Sequence, residues 1–448
     1  MTIDFLSRAA RPRMVAARRF LGAQEGTITP LSMFMFMMML MLGGFALDMS
    51  QHVAARTKLQ ITADSVAHAA LVSRRNNTEA EARAVGLSLL EANMPARRYG
   101  TISSASDIEF GRWTQGGFEP HDHIHTAARV VGLRNGERGN ALRTFLMRVL
   151  GVNELDVAAA TVFTTYQPIC IEEGFAAEGK VDVQSNNNYL RGFCIHSNDY
   201  VRINQNNYFE EGTIVSMPDL DLLQLPNSGF ERNEGLEMAL REGWLDIKIL
   251  RELDRVIEGT RNGDPEYRPD YVSGITPVDR PQNKNNNTLD TADLIPGRIH
   301  EFTCNNQNGQ LNVPNGTVIS NVVIITNCQL SLGQDVRLED VRIMSTNTTR
   351  HAVSGASGVS IGRDDDCAEG GGAQILTLGD MSFPANLGVF GGQLIARGNI
   401  DFAARADGVQ GASMIAGGEI DGTSNSTMAR CNRGMDDNLT TPYYRMAM

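Results

Sequence analysis

Residues 31–47 read LSMFMFMMMLMLGGFAL, a run without a single charge. About 17–25 apolar residues let a helix cross the hydrocarbon of a bilayer, so this run is long enough to span. It also sets the organisation of the chain, because the segments on its two sides lie on opposite faces of the membrane. Five arginines precede it (Arg8, Arg11, Arg13, Arg18, Arg19), and Asp48 ends it. Positive charge stays on the cytoplasmic side of such a span. That places residues 1–26 in the cytoplasm and the bulk of the chain in the periplasm, beyond the inner membrane. A cleaved signal peptide has the same basic flank. The run, however, exceeds the about 7–15 residues of a signal h-region, and no A-x-A-like site occurs at Gly44–Ser50. An uncleaved single-pass anchor is therefore expected, its helix starting at the cap-like pair Thr29 and Pro30.

Charge respects the same division. The five arginines against Asp4 and Glu25 leave residues 1–26 at +3, so the rest of a chain of net charge −12 carries −15. An acidic ectodomain is a poor partner for nucleic acid, whose phosphates call for Lys and Arg; no nucleic-acid partner is expected. The six cysteines (Cys170, Cys194, Cys304, Cys328, Cys367, Cys431) all lie C-terminal to the anchor. An even count in an oxidising compartment reads as disulfides. The connectivity is open from sequence alone; sequential pairing is the expectation, the first two pairs having equal separations of 24 residues. Zinc is the rival use of cysteine, but no CxxC or CxxH pair occurs.

The helical signal continues past the membrane. From Asp48 to Arg75, the residues Met49, Val53, Leu59, Ala63, Val66, Ala67, Ala70 and Leu71 recur mostly at spacings of three and four, with no Gly or Pro among them. Residues 30–75 then read as one helix of roughly 70 Å at about 1.5 Å per residue. A break near Gly43-Gly44, separating an anchor from a first ectodomain helix, is the alternative.

Gly26-Thr27, the apolar span, Ala46-Leu47-Asp48, then Lys58-Leu59-Gln60 and Thr62-Ala63-Asp64-Ser65-Val66-Ala67 with Ala69-Ala70 resemble the N-terminal segment of TadE/TadG-like proteins. In those, a Gly precedes the span, an Asp closes it and an Ala-rich stretch with a central Asp comes next. Gly26, Asp48 and Asp64 are the positions that match this motif. The resemblance covers roughly residues 26–75. A weaker echo reaches residue 166, through Phe110-Gly111-Arg112-Trp113, Ala128-Arg129-Val130-Val131 and Phe145 to Gly151. It implies a part in tight-adherence (Flp) pilus assembly, with the lipid bilayer, other Tad/Flp proteins and laterally packed pilin-like helices as partners. Two departures refine it. Thr27, Ile28, Thr29, Pro30 and Leu31 come after Gly26 where processed pseudopilins of the system carry a Glu, which sets this chain closer to the anchored TadG type. The von Willebrand A domain of many TadG proteins has no counterpart, since Asp421-Gly422-Thr423-Ser424-Asn425-Ser426 carries Asn425 where the metal motif needs Ser.

Beyond the helix, residues 76–166 read as a small α+β unit. Ala80–Leu90 and Ala141–Leu150 are predicted helices; Ile108–Trp113, Ala128–Leu133 and Leu155–Tyr166 are predicted strands. Residues 167–448 change texture. Very short apolar pieces such as Val181–Val183, Val201–Ile203 and Gln374–Leu378 alternate with Gly and Asn corners, and Asn tolerates the left-handed backbone that such corners need. Irregular short rungs of this kind suit a right-handed β-solenoid-like region; a β-sandwich is the alternative. A helical insertion is expected over 228–262, with Asn233–Thr260 helical on the strength of Leu236, Leu240, Trp244, Ile247, Leu250 and Ile257. Arg261 to Asn287 reads as a surface loop. The fold class is thus a mixture of α+β and all-β behind a long pilin-like transmembrane helix.

Chemistry-bearing motifs are sparse. His121-Asp122-His123-Ile124-His125 is metal-like: on a strand the three histidines share a face, and imidazole suits zinc or copper. A polar loop before the next strand is the alternative, and no supporting second shell is identifiable. Asp364-Asp365-Asp366 lacks the spaced acids of calcium loops. Asp335, Glu339 and Asp340 are near one another, as paired carboxylates of pectin-cleaving β-helices are, without any sign that they converge. No GxSxG, P-loop or Cys/His nucleophile context occurs. A non-enzymatic membrane-anchored component of pilus assembly, without cofactor or metal, is the expectation. A carbohydrate-binding or adhesive β-solenoid is the runner-up, ahead of a polysaccharide-active enzyme.

Overall fold

The computed structural model describes residues 28–121, 124–281, 287–435 and 437–448. These fall into two compact units, residues 28–166 with 444–448, and residues 167–443.

The first unit is organised by α1, Ile28–Arg74, an unbroken helix of 47 residues. It runs through Gly43-Gly44 without interruption, and its first half is solvent-exposed apolar surface, Phe34 and Met38 being 71% and 65% accessible. The second half turns one face inward. Leu59, Ala63, Val66, Ala67, Ala70 and Leu71 are buried against Ile108, Phe110, Val130 and Val157. Val53, which continues the same spacing, stays exposed. Helix α2, Glu79–Asn93, begins in a capping box. The Thr78 hydroxyl accepts from the Glu81 N–H at 3.3 Å, and the Glu81 carboxylate accepts from the Thr78 N–H at 2.8 Å. Gly86 lets α2 close on α1, for a Cβ there would sit 3.2 Å from Val66. Next come strands β1 (Ile108–Thr114), β2 (Gly117–Pro120), β3 (Ala127–Arg134), the hairpin pair β4 (Leu142–Arg143) and β5 (Glu154–Leu155), and β6 (Val157–Tyr166). The main sheet runs β2-β1-β3-β6 and is completed by the C-terminal strand Tyr443–Met446.

The helix expected over Ala141–Leu150 is absent. Leu142 and Arg143 pair with Leu155 and Glu154, and only Met147–Leu150 coils, as a 3-10 turn ending at Gly151 in a left-handed conformation. The spacing of Leu142, Phe145, Leu146 and Val149 is not a buried stripe: Phe145 and Val149 are 66% and 77% exposed.

The second unit is a mostly-β stack of short strands in parallel register. Its period is about 20 residues: Cys194 pairs with Gly174, Val201 with Val181 and Tyr208 with Asn188. The order of coils in space is not the order in the chain. The chain enters the stack in its middle, at Gly174–Ala177, and climbs through Cys194–Ser197 and Ile214–Met217 to Leu240–Glu242. It then crosses to the opposite end, at Gly274–Pro281, and returns through 298–303, 318–326, 337–345, 373–377 and 381–396 to Ile400–Ala416. There the last coil pairs with the first: Met414 with Phe175, Ile420 with Val181 and Met428 with Tyr189. One face is thus a parallel sheet of eleven strands joined by ten pairings, roughly 48 Å at about 4.8 Å per step.

Two cores hold the stack. Inside the coils, Phe175, Tyr189, Phe193, Ile324, Leu338, Phe383 and Met414 belong to one continuous apolar column. Outside them, Ile325, Met344, Leu376, Ile395 and Ile415 from successive rungs pack with Leu250, Leu253, Val256 and Ile257 of α3, Ile249–Arg261. The helix therefore covers the flank of the sheet along the crossing path. Beside this apolar row runs a buried polar one. Arg342 donates to Gln374 (3.2 Å) and to the carbonyls of Tyr267 and Asp437 (2.6 Å each). Gln393 exchanges two bonds with Leu439, and Ser413 donates to Ile171. These pin loops and the C-terminal tail to the sheet, and they satisfy side chains that would be costly to bury unpaired. The cystines are Cys170–Cys194, Cys304–Cys328 and Cys367–Cys431.

Two expectations for this unit fail. Asn233–Thr260 is not one helix: Asn233–Glu234 and Leu240–Glu242 pair with Asn207–Tyr208 and Val215–Met217, and only Leu236–Ala239 and α3 are helical. Gly235 interrupts the pattern at φ 81°, where a Cβ would meet the Phe209 carbonyl at 1.9 Å, so rung pairing overrides the helical spacing. Residues 261–287 are not loop throughout, because Gly274–Pro281 forms a strand on Arg298–Thr303. Its prolines lack N–H groups and suit a strand at the end of a stack.

Candidate membrane-proximal site

Asp48 closes the apolar run, and its place in the helix decides what it does. Its own N–H lies within the α1 ladder, which leaves the carboxylate to bond elsewhere. It accepts from the backbone N–H groups of Phe145, Leu146 and Met147, at 2.6, 3.0 and 2.7 Å, and is only 1% exposed. These are the orphan donors that open the 3-10 turn 147–150, so Asp48 caps from α1 a turn almost a hundred residues away. One helical turn earlier Gly44 is buried against the same segment. A Cβ at Gly44 would lie 2.5 Å from both Cβ and Cδ1 of Leu146, so a glycine is what lets the turn seat on the helix.

The seated turn and the helix form an open apolar groove of about 270 Å³, lined by Met37, Leu40, Met41, Phe45, Leu146 and Leu150. Immediately beyond Asp48 the chemistry reverses. Gln51, Asn140 and four arginines (Arg98, Arg134, Arg143, Arg148) surround a polar cavity of about 540 Å³ whose lining contains no carboxylate. Arg98 and Arg134 lie over the Tyr99 ring, 5.3 and 5.7 Å from its centroid. The Tyr99 hydroxyl also accepts from Lys58 at 2.7 Å. That bond, with the surrounding cations, holds the Tyr99 phenol below its ordinary value despite some desolvation. The region is cationic in a chain that is acidic overall.

The other residues singled out from sequence are dispersed. Gly26 lies outside the described residues. Asp64 accepts from Gln60 at 2.8 Å on the flank of α1. His121 accepts the Ile124 N–H at 3.0 Å and His125 meets Phe110 edge-on at 6.2 Å, while His123 lies outside the described residues. Among the described residues no group of three potential metal ligands converges. Glu339 and Asp340 both pair with Arg363, and Asp335 is a left-handed corner at φ 56°. Asp365 caps a turn by accepting the Ala368 N–H.

Stacking also assembles carboxylates that sequence reasoning missed. Asp182, Asp421 and Asp401 occupy one register position on three successive rungs. Burial raises both Asp182 and Asp401, and the neighbouring Asp421 adds to it. Arg202 and Lys180 offset this at Asp182, at 2.9 and 3.5 Å. The separation of 20 residues between Asp401 and Asp421 was readable; the placement of Asp182 against them was not, because it depends on the seam between first and last coils.

Comparison with known families divides the chain along the same lines. The family described as Flp pilus-assembly TadE/G-like matches residues 26–84, the segment that holds α1 and Asp48 and carries the TadE/TadG resemblance. The family described as Domain of unknown function (DUF7867) matches residues 174–432, from the first strand of the stack to just past its last. No curated protein and no solved structure matches the chain. With more than half of its residues in that second match, the chain belongs to the DUF7867 family and carries a TadE/G-like segment at its N-terminus.

Proposed function

We propose that this protein is a non-enzymatic, single-pass inner-membrane component of Flp/Tad-type pilus assembly. Its N-terminus lies in the cytoplasm, and its coiled ectodomain serves as a disulfide-braced periplasmic scaffold. The observation that carries the reading is the coincidence of the TadE/G-like match over 26–84 with one helix, Ile28–Arg74, apolar and exposed in its first half and packed in its second. A helix of that construction anchors a folded unit and offers its lipid-embedded half to neighbouring helices, as pilin-like helices do. The arginines before the span set the orientation. The coils wind right-handed, as parallel β-crossovers do.

Anchoring is tested by replacing residues 1–50 with a cleavable secretory signal peptide and fractionating cells. The deletion stops at Ser50 because Leu59 to Leu71 belong to the core of the first unit. The truncated chain is expected in the soluble periplasmic fraction and the intact chain in the inner membrane. Truncated chain that still pellets with membranes after a carbonate wash, which strips peripheral contacts but not a transmembrane helix, overturns the single-anchor reading.

A further inference from the structure

The turn at residues 144–152 exposes more apolar surface than its position in an aqueous compartment warrants. Phe145, Leu146, Val149 and Leu150 are 66, 43, 77 and 66% accessible. This surface is continuous with the apolar half of α1, since the groove beside it is lined by Met37, Leu40, Met41 and Phe45. If residues 28–47 cross a bilayer, the reading on which this inference rests, then the turn is level with the end of the hydrocarbon and cannot stay in water.

Its backbone is equipped for that setting. A lipid-embedded peptide must satisfy its own polar groups. The N–H groups of Phe145, Leu146 and Met147 are taken by Asp48, and those of Thr144, Val149, Gly151 and Val152 by the carbonyls at 153, 146, 148 and 147. The arginine cavity lies at the matching height. Gln51 in its wall stands six residues beyond Phe45 in the apolar wall, about 9 Å along the helix. The headgroup zone on one face of a bilayer begins where the hydrocarbon ends and is about 5–8 Å deep. An apolar pocket and a carboxylate-free arginine pocket, stacked along the membrane normal with this offset, match the two ends of one molecule.

We propose that Phe145–Leu150 inserts into the periplasmic leaflet as a second membrane contact. With Arg98, Arg134, Arg143 and Arg148 it forms a site for an anionic glycerophospholipid. The phosphate sits among the arginines, where guanidinium groups pair with it through two parallel N–H bonds, and an acyl chain lies in the groove between the turn and α1. Asp48 and Gly44 are positioning residues, the first holding the turn and the second admitting it.

The test uses the full chain in nanodiscs, in a background carrying Trp113→Phe and Trp244→Phe. Single tryptophans are placed by Met38→Trp, Phe145→Trp or Val149→Trp and quenched with brominated phosphatidylcholine. All three are expected to be quenched by the lipid and shielded from acrylamide. Quenching at 38 but not at 145 or 149 overturns the insertion, whereas no quenching at 38 overturns the anchor reading itself. In a second arm, native mass spectrometry counts phosphatidylglycerol against phosphatidylcholine retained by the protein. Wild type is expected to prefer phosphatidylglycerol, and Arg143→Gln/Arg148→Gln to lose that preference about 30-fold, since each cation near an anionic surface contributes a factor of about five. Arg143→Lys/Arg148→Lys should keep most of it. Equal retention of both lipids by wild type, or displacement by inorganic phosphate alone, overturns the lipid site.

Discussion

The seam between first and last coils makes a quantitative test of the fold. Phe175 lies on the first coil and Phe402 on the last, and their rings meet at 5.6 Å between centroids, tilted by 67°. Both are buried, Phe175 also packing on Phe193 at 5.0 Å. Each Phe→Ala replacement is expected to cost about 3–5 kcal/mol, the usual loss for a buried phenyl ring. The informative quantity is their coupling. Rings in edge-on contact interact by about 0.5–1.5 kcal/mol beyond the area they bury, whereas residues without contact add within about 0.3–0.5 kcal/mol. Wild type, Phe175→Ala, Phe402→Ala and the double variant should therefore be unfolded in urea with disulfides intact. The β signal in circular dichroism is the readout, and a common m-value is required. The double variant should be less destabilised than the sum of the singles by about 0.5–1.5 kcal/mol. In a stack that obeys chain order the two residues would lie at opposite ends, more than two hundred residues apart in sequence, and strict additivity would refute the seam.

Other consequences stem from the same geometry. Burial raises Glu173 even though it accepts the N–H groups of Cys431 and Asn432 across the seam. A carboxyl raised on folding contributes stability that is complete below its unfolded value and is lost as pH rises through the folded one. Urea midpoints of wild type should fall as pH increases above about 4.5, and Glu173→Gln should flatten that dependence; parallel profiles would contradict it. The Cys367–Cys431 link closes a 64-residue separation, so Cys367→Ser/Cys431→Ser should cost about 4 kcal/mol in loop-closure entropy, read as a lowered urea midpoint; an unchanged midpoint would contradict this. Gly235→Ala puts a Cβ on the Phe209 carbonyl at a left-handed position and should destabilise by at least about 1 kcal/mol; a neutral effect would show that this rung is loose. Gly44→Leu should expel the Phe145–Leu150 turn from α1, seen as new protease cleavage there, and an unaltered digest would show that the turn does not seat on the helix.

The local elements were largely legible, and the reasons are physical. The apolar run and the Ala-rich stripe repeat at helical spacing with no breaker after Gly44, and they form α1. The helix expected over Ala80–Leu90 forms as α2, with Thr78 and Glu81 closing its first turn. The strands expected at Ile108–Trp113 and Ala128–Leu133 form as β1 and β3. Misreadings arose where one pattern has two uses. Leu236, Leu240 and Trp244 fit a helix by spacing, but pairing with neighbouring rungs decides, and Trp244 ends 65% exposed. Phe145, Leu146 and Val149 fit a helix as well, and instead form a turn held by Asp48. That partnership spans 97 residues between Asp48 and Phe145, beyond the reach of any local signal. The four arginines of the polar cavity are scattered from 98 to 148 for the same reason. The permuted stacking left no local trace at all, because each rung obeys the same rules whichever neighbour it meets.

The central claim joins a membrane-anchored Tad-like helix to pilus assembly. Its most direct test is to delete the gene in the native host and count surface Flp pili by electron microscopy. Complementation uses the full chain or the chain with residues 1–50 replaced by a cleavable secretory signal peptide. Loss of pili on deletion, restored by the full chain and not by the truncated one, is the expected result. Wild-type pilus numbers in the deletion strain would contradict the claim.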